Sequence, residues 1–317
     1  MNILEKTKQL CKQCQIKPAR SRGQNFLIKE DVYRKVIAAA ELKPDDIVLE
    51  VGPGFGFLTE LLARKVKQVV AVEVDSKLAE VLRERLEEQE MRNVEVVNEN
   101  ILRMSKSKLF QIIPNQIQNL NVKGKKTPDK SPPHSFLNQR KEGYKIVANL
   151  PYNITSRFLR QFLSEVEMKP SLMVLMLQQE VAERICAGPG QMSLLAVATQ
   201  FYSEPKIIAY IPADDFWPKP KVESAIITLT PRFAFPLSRS AGEGAGGEGS
   251  FFKLVKIGFS AKRKQLQGNL AKGLEAKAED IKKILKECGL LEIVRAQELS
   301  LADWQKLYVV LARRNML

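Results

Sequence analysis

Between about residues 46 and 231 the chain alternates short apolar runs with amphipathic stretches. Runs at 47–51, 69–73, 94–98, 145–148, 172–177, 206–211 and 224–229 have the length and the Val and Ile content of buried strands. The stretches at 57–66, 76–90, 155–166, 178–187 and 192–202 repeat their apolar residues at helical spacing. Strand followed by helix, over and over, predicts a parallel sheet with crossover helices, a doubly wound α/β domain. Upstream, Val32, Val36, Ile37 and Ala40 also recur at helical spacing, so a helix near 30–41 is expected across the ligand-binding edge of that sheet.

Two segments break the rhythm. Residues 104–143 are basic and rich in Gln, Asn, Lys, Ser and Pro, with KGKKTPDKSPPHS at their centre. So little periodic apolar surface predicts a flexible insertion, because burial there does not offset the entropy of ordering. The second, SRSAGEGAGGEGS at 238–250, has linker composition and marks a domain boundary. Beyond it the pattern is helical, and Ser300 with Asp303 resembles a capping box opening the last helix, LADWQKLYVVLARR. The expected plan is a basic extension at 1–23, an α/β domain at 24–235 carrying the insertion, a linker at 236–250 and a small all-helical domain at 251–317.

Charge sharpens this plan. The net charge of +14 comes from 50 Lys and Arg against 36 Asp and Glu, and it is unevenly spread. Residues 1–23 carry +5, residues 103–145 carry +8, residues 251–317 carry +7, and everything else sums to −6. Basic appendages around a slightly acidic core suit an enzyme whose edges grip phosphates, although a basic excess also serves solubility. No apolar run approaches the ~18 residues of a membrane span, and MNILEKTKQLCKQCQ has charges where a signal peptide is apolar. A cytoplasmic location is expected, and the 4 scattered cysteines agree with a reducing compartment.

The chemistry begins in IVLEVGPGFGFLTELL, which puts Glu50, Gly52, Gly54 and Gly56 where the first strand turns into a helix. Glycines there permit a tight turn and close approach of a ligand to the backbone, and the helix offers free N–H groups. The Gly-x-Gly-x-Gly spacing lacks the third small residue of the dinucleotide fingerprint, because position 57 is Phe. Glu73 ends the next strand, where a carboxylate can accept hydrogen bonds from both hydroxyls of a ribose. Together these parts suit an adenosine-bearing ligand, while the glycines alone have a purely structural reading as well.

Asn149-Leu150-Pro151-Tyr152 follows the fourth strand. The amine of adenine is a poor nucleophile because its lone pair is delocalised into the ring. A site that methylates it needs acceptors for the amine protons, and the Asn149 side-chain oxygen and the Leu150 carbonyl can supply them. Pro151 restricts Leu150 to an extended conformation, which aims that carbonyl, and Tyr152 can stack on the base. The alternative is an ordinary strand-end turn, in which Asn and Pro are common. In DDFWPKPKVES, Phe216 offers a ring for the opposite face of an extruded base, whereas Trp217 is expected to pack in the core. Lys219 and Lys221 could hold the RNA backbone on either side of the target.

QNFL at 24–27, VGPGFGFLT at 51–59, Glu73, NLPYNITS at 149–156 and the F-x-P-x-P-K-V loop at 216–222 resemble the bacterial small-subunit rRNA adenine dimethyltransferase family. The likeness covers about 24–103 and 144–231, with a weaker echo in FSAKRKQLQGNL. It implies a Rossmann-like class I S-adenosylmethionine methyltransferase domain with a small C-terminal helical domain. The implied reaction uses S-adenosylmethionine, without a metal. It converts two adjacent adenines in a stem-loop near the 3′ end of 16S rRNA to N6,N6-dimethyladenine during ribosome biogenesis. The implied partners are small-subunit rRNA and the pre-small subunit, with no membrane, and the enzyme is expected to be a monomer. Asn25, Leu27, Gly52, Gly54, Glu73, Asn100 and Asn149 would contact the donor, and Asn149, Leu150, Pro151, Tyr152 and Phe216 the target. Asn100 is a departure, because the family usually has an aspartate there, and the 104–143 insertion exceeds the family's short connection.

Three other readings stay open at this level. A large-subunit rRNA methylase of the antibiotic-resistance type shares fold and chemistry, a noncatalytic assembly factor could keep the fold, and a nicotinamide dehydrogenase is disfavoured by the glycine spacing. A single histidine, His134, argues against a His-based triad, and Cys11 and Cys14 have no second pair with which to complete a zinc site.

Overall fold

Val and Ile fill the runs that the chain buries deepest, and the computed structural model, which describes residues 1–18, 24–113, 143–151, 154–232 and 247–317, makes strands of them. The strands are β1 (Phe26–Leu27), β2 (Ile47–Val51), β3 (Gln68–Glu73), β4 (Val94–Asn98), β5 (Lys145–Asn149), β6 (Leu172–Gln178), β7 (Ser203–Ile211), β8 (Phe216–Trp217) and β9 (Ser224–Pro231). The main sheet has the order β4-β3-β2-β5-β6-β9-β7. Every residue of β2 is buried, as a strand covered on both faces requires.

The pairs β2–β3, β2–β5, β3–β4 and β5–β6 are parallel. The pair β6–β9 is antiparallel, which corrects the expectation of a parallel sheet throughout. A chain that returns by the short loops around β8 has no crossover helix there to carry it back to the start of a parallel strand. From β2 the chain builds outward through β3 and β4, then starts again on the other side of β2 with β5. The crevice beyond the carboxyl ends of β2 and β5 is therefore a topological switch point, where open α/β sheets bind ligands.

Helices α1 (Ile3–Gln13), α2 (Glu30–Ala39), α3 (Phe57–Ala63), α4 (Ser76–Glu88) and α5 (Lys106–Ile112) belong to the same unit. The unit comprises Met1–Ala182 and Glu204–Pro231. One apolar cluster joins Val32, Tyr33 and Val36 of α2 to Val48, Val147 and Val174 of the sheet. Each fully buried aliphatic side chain there contributes roughly 1.5–3 kcal/mol.

Two basic segments carry structure that their composition conceals. α1 lies in the extension at 1–23 and opens on a capping box, in which Asn2 accepts the Glu5 N–H at 2.9 Å and donates its own N–H to the Glu5 carboxylate at 3.1 Å. Cys11 and, beyond the helix, Ile16 are buried against Phe55, Leu78 and Val81. α5 lies in the insertion, capped by Ser105, with Met104, Leu109 and Ile113 buried. Both short apolar faces are diluted when hydrophobicity is averaged over a whole basic segment. Residues 114–142 of the insertion lie outside the described residues.

The second unit comprises Glu183–Ser203 and Arg232–Leu317. It therefore takes in helix Leu194–Tyr202, a stretch that the sequence pattern leaves in the α/β domain. Phe201 stacks on Phe251 with centroids 4.8 Å apart, and this aromatic contact supplies the reason. The helices Glu248–Gly258, Leu266–Gly273, Ala278–Glu287 and Leu301–Arg313 bury Phe251, Leu270, Ile284, Trp304 and Leu311. Ser300 and Asp303 form the expected capping box, the Asp303 N–H donating to Ser300 Oγ at 3.1 Å. The linker expected at 236–250 ends sooner, because Glu248 already begins a helix that carries Phe251 inward, and 233–246 lie outside the described residues.

Candidate functional site

A cleft of about 360 Å³ opens at the switch point, lined by residues from 24–27, α2, β2, the glycine turn, β3, 99–101, 148–151, β6 and Phe216. Its polar groups are few and each has a traceable origin in the sequence.

β2 ends at Val51 and the chain turns through Gly52, Gly54 and Gly56, all with positive φ. Gly56 shows why a side chain is excluded: at φ 84° it begins α3, and a Cβ there would lie 2.2 Å from Leu82 Cδ1. The Gly52 N–H donates to the Val72 carbonyl at 3.0 Å, tying the turn to β3. The Gly54 N–H donates to Glu73 Oε2 at 3.1 Å, and the Asp75 N–H donates to Glu73 Oε1 at 3.0 Å. Glu73 is 5% exposed. Burial pushes its carboxyl above the ordinary range, and these backbone N–H groups pull it partly back.

Glu50 lies two residues before Gly52, on the same side of β2, and is 2% exposed. Its Oε2 has no hydrogen-bond partner among the described residues, nor has the neighbouring Thr59 hydroxyl. Burial pushes the Glu50 carboxyl up to about 8, and the negative charge of Glu73 reinforces the rise. In the sequence Glu50 belongs to the glycine-turn motif, and what sets it apart there is that it is an acid in an otherwise all-aliphatic strand, IVLEV.

The 24–27 segment crosses the cleft as one strand of a two-stranded ladder. Phe26 pairs with Trp217 and Leu27 with Phe216, and the Ile28 N–H donates to the Asp215 carbonyl at 2.9 Å. Tyr33 fixes this segment from α2, its hydroxyl donating to the Leu27 carbonyl at 2.8 Å. Phe26 packs on Phe55 of the glycine turn, with centroids 4.7 Å apart. Arg85 of α4 braces the turn from behind. Its guanidinium donates to the Phe55 carbonyl and to Glu60, and lies 4.7 Å over the Phe57 ring. Tyr33 and Arg85 escape sequence reasoning because their partners lie on other elements.

On the opposite wall, Asn149 ends β5. Its Nδ2 donates to the Asn25 carbonyl at 3.4 Å, so the side-chain oxygen is directed away from that segment. The Leu150 N–H donates to the Met176 carbonyl at 3.2 Å, and Leu150 is buried. Pro151 also lines the cleft, whereas Tyr152 lies outside the described residues. Phe216, 3% exposed, lines the cleft and packs with Leu27, Tyr33 and Val36. Trp217 packs against the cluster of Cys11, Ile16 and Phe55, in keeping with a core role. Asn100 lines the cleft with its Oδ1 accepting the Leu102 N–H at 3.0 Å. The structure thus brings Asn25, Leu27, Gly52, Gly54, Glu73, Asn100, Asn149, Leu150, Pro151 and Phe216 to one cavity.

Apolar walls, an anchored carboxyl at a strand end and a second buried carboxyl fit an elongated ligand that combines a flat ring, hydroxyls and a cationic end. Among the described residues no group of His, Cys, Asp and Glu is arranged to hold a metal ion. No helix of the described residues is long and apolar enough to cross a membrane.

Comparison with known proteins agrees with this architecture. The sequence pattern of the ribosomal RNA adenine dimethylases matches residues 16–313. A ribosomal RNA small subunit methyltransferase A of Dehalococcoides mccartyi is 36% identical over 309 residues, 98% of this chain and 94% of that protein. Its counterpart from Alkaliphilus metalliredigens is 33% identical over 313 residues, 98% and 97% of the two chains. Among solved structures, the 23S rRNA methyltransferase ErmE superposes with a TM-score of 0.65 at 26% identity, covering 90% of this chain and 99% of that one. A dimethyladenosine transferase from Plasmodium falciparum gives 0.66 at 22% identity over 92% and 98%, a likeness of fold. The family's pattern spans both compact units and every element that lines the cleft, and the chain belongs to the ribosomal RNA adenine dimethylases.

Proposed function

We propose that the protein transfers methyl groups from S-adenosylmethionine to the exocyclic N6 of two adjacent adenines in a 3′-terminal stem-loop of 16S rRNA, giving N6,N6-dimethyladenine during ribosome biogenesis. The observation that carries this reading is the Asn149 side chain lining the cleft, its amide nitrogen tied to the Asn25 carbonyl and its oxygen left to accept. The relatives named as small subunit methyltransferases favour the small-subunit substrate.

When bound, S-adenosylmethionine supplies an electrophilic methyl group on a sulfonium. Glu73 would receive the ribose hydroxyls, the turn at Gly52 and Gly54 would back the methionine part, and Asn100 would accept from the donor's adenine amine through its amide oxygen. Asn25 and Leu27 would close over the donor, held in place by Tyr33 and by the β1–β8 ladder. Asn149 Oδ1 and the Leu150 carbonyl would accept the two protons of the target amine. That draws the nitrogen lone pair out of conjugation and toward the methyl group, so orientation in a dry site does most of the work. Phe216 would support one face of the flipped base, and its ring is already fixed by packing against Leu27 and Tyr33. Transfer in line needs no covalent bond to the protein, and the amine proton leaves to solvent after the methyl group arrives.

A monomer working in the cytoplasm on the pre-small subunit agrees with this reading. The structural likeness to ErmE favours one rival, a large-subunit RNA substrate. The test is to incubate the protein with labelled donor and small subunits that lack the two dimethyladenines, and to map the label. Label on the paired adenines is expected; label only on large-subunit RNA overturns the substrate, and no label with either RNA overturns the activity.

A further inference from the structure

Cys11 and Cys14 are a pair of free thiols that methyl transfer leaves unused. They sit one turn apart at the end of α1, where Cys14 is the cap residue and Gln15, at φ 51°, turns the chain out of the helix. The Ile16 N–H donates to the Cys11 carbonyl at 2.9 Å and the Gln15 N–H to the Lys12 carbonyl at 3.4 Å, the two bonds that close a helix on a left-handed residue. Cys11, Ile16 and Phe55 then meet in one apolar cluster, with Cys14 packed against it. Phe55 lies between Gly54 and Gly56 in the turn that backs the cleft, and it packs on Phe26 of β1. The end of α1 and the rim of the cleft therefore share one packed contact.

We propose that Cys11 and Cys14 are a redox-responsive dithiol: a small-molecule disulfide of the glutathione class converts them to an intramolecular disulfide, and closing that bond loosens the glycine turn and weakens donor binding. The effect on the donor rests on the reading of the cleft as an S-adenosylmethionine site; the bond itself does not.

Helix geometry permits the bond and strains it. Residues three apart on a helix have Cα atoms about 5 Å apart, inside the range that a disulfide spans. Their Cβ atoms are roughly 5–6 Å apart, however, where a disulfide needs roughly 3.5–4.5 Å, so the last turn of α1 must tighten by about 1–2 Å. That displacement falls on the Cys11 carbonyl, which holds the Ile16 N–H, and on the side chains packed around Phe55. A bond closed against such packing is readily reduced again, as a reversible response in a reducing compartment requires.

The chemistry is thiol–disulfide exchange. Cys14, the more exposed of the two, attacks as thiolate one sulfur of the external disulfide and releases one small thiol. Cys11 then gives up its proton, attacks the Cys14 sulfur and releases the second. Two electrons pass from the protein pair to the external disulfide, which leaves as two thiols carrying the two protons of the pair. Burial, with the negative charge of a Cys14 thiolate added, pushes the Cys11 thiol up to about 11, so Cys11 does not compete for the first step. Capping the Cys14 sulfur removes that charge before the second.

The experiment equilibrates the full chain in glutathione buffers of increasing oxidised fraction, blocks the remaining thiols and digests with trypsin. Trypsin cuts after Lys12, between the two cysteines, so a linked pair of peptides reports this bond. The expected result is that linked pair in the oxidised buffers, its loss with dithiothreitol, and faster hydrogen exchange at the Ile16 amide and across residues 52–58 of the oxidised protein. Affinity for S-adenosylmethionine, measured by calorimetry, should fall about tenfold on oxidation, and saturating donor should make the bond harder to form by the same factor, because such coupling is reciprocal. Cys14→Ser should exchange and bind like the reduced protein in every buffer, which also reports that the variant is folded. A glutathione adduct that stays on Cys14, or bonds to Cys186 or Cys288 without the Cys11–Cys14 link, overturns the proposal. So does a link that leaves either exchange in the turn or donor affinity unchanged, and so does a fall in affinity that persists in Cys14→Ser. If the reduced wild-type protein binds no S-adenosylmethionine, the donor reading itself fails, and the peptide and exchange results still decide the bond and its effect on the turn.

Discussion

The two walls of the cleft are held by different forces. On the donor side, polar groups are fixed by the backbone: Glu73 receives the Gly54 and Asp75 N–H groups, and Asn100 receives that of Leu102. On the acceptor side, the Asn149 side chain is steadied by one bond of 3.4 Å to Asn25, and the Phe216 ring by apolar packing, its backbone lying in the β1–β8 ladder. Backbone anchors, two from tight turns and one from the glycine turn across to β3, preorganise a small ligand that is always the same. Packing and a single long bond suit a wall that must accept a base pulled from a large RNA.

That contrast can be broken by mutation, and the walls should fail in different ways. Asn149→Ala should lower single-turnover methyl transfer by roughly 10²–10³-fold while donor affinity changes only a few-fold. A matching loss of donor affinity would mean that the walls are not separable. Glu73→Gln removes a charged acceptor from two N–H groups and should weaken donor binding by roughly tenfold to a hundredfold, with turnover at saturating donor nearly preserved. Calorimetry beside saturating kinetics checks the split.

Glu50 gives the donor wall a pH signature in the empty protein. Its folded value, about 8, lies above the ordinary 4.5 of an exposed chain. Between those values the folded state binds more protons than the unfolded one, so raising pH through that window removes stability. The loss is on the order of 1 kcal/mol per pH unit and ends near the folded value. Glu50→Gln should melt with no such decline, and parallel melting curves against pH would contradict the burial argument. Phe216→Leu should raise the KM for RNA by about tenfold through lost stacking and leave donor affinity close to wild type. The smallest effect is expected for Asn100→Asp, which restores the family's usual acceptor and should tighten donor binding a few-fold in direct titration.

Most of the sheet was legible because burial on both faces leaves continuous apolar runs. Ile47–Val51 and Val94–Asn98 match the expected bounds, and the other strands differ at their ends. The cleft's contacts with the backbone were legible because glycine and proline constrain the chain locally. What escaped depends on distant partners. The pairing of Phe26 with Trp217 leaves no periodic trace in either dipeptide. Glu50 looks like part of a motif until its missing partner is seen. α1 is announced by Asn2 and Glu5, a capping-box pair whose signal is diluted by the surrounding lysines.

The β1–β8 ladder sets a condition on how the enzyme comes into being. Its two strands are roughly 190 residues apart in sequence, so the cleft lacks one rim until residue 217 has been synthesised and has found its partner. A nascent chain that stops at β6 holds the glycine turn, Glu73 and Asn149, yet it has neither Phe216 nor the strand that pins 26–27. Truncated products should therefore be unable to sequester donor in competition with the finished enzyme, and the ability to bind should emerge late in translation, as a property of a nearly complete α/β unit.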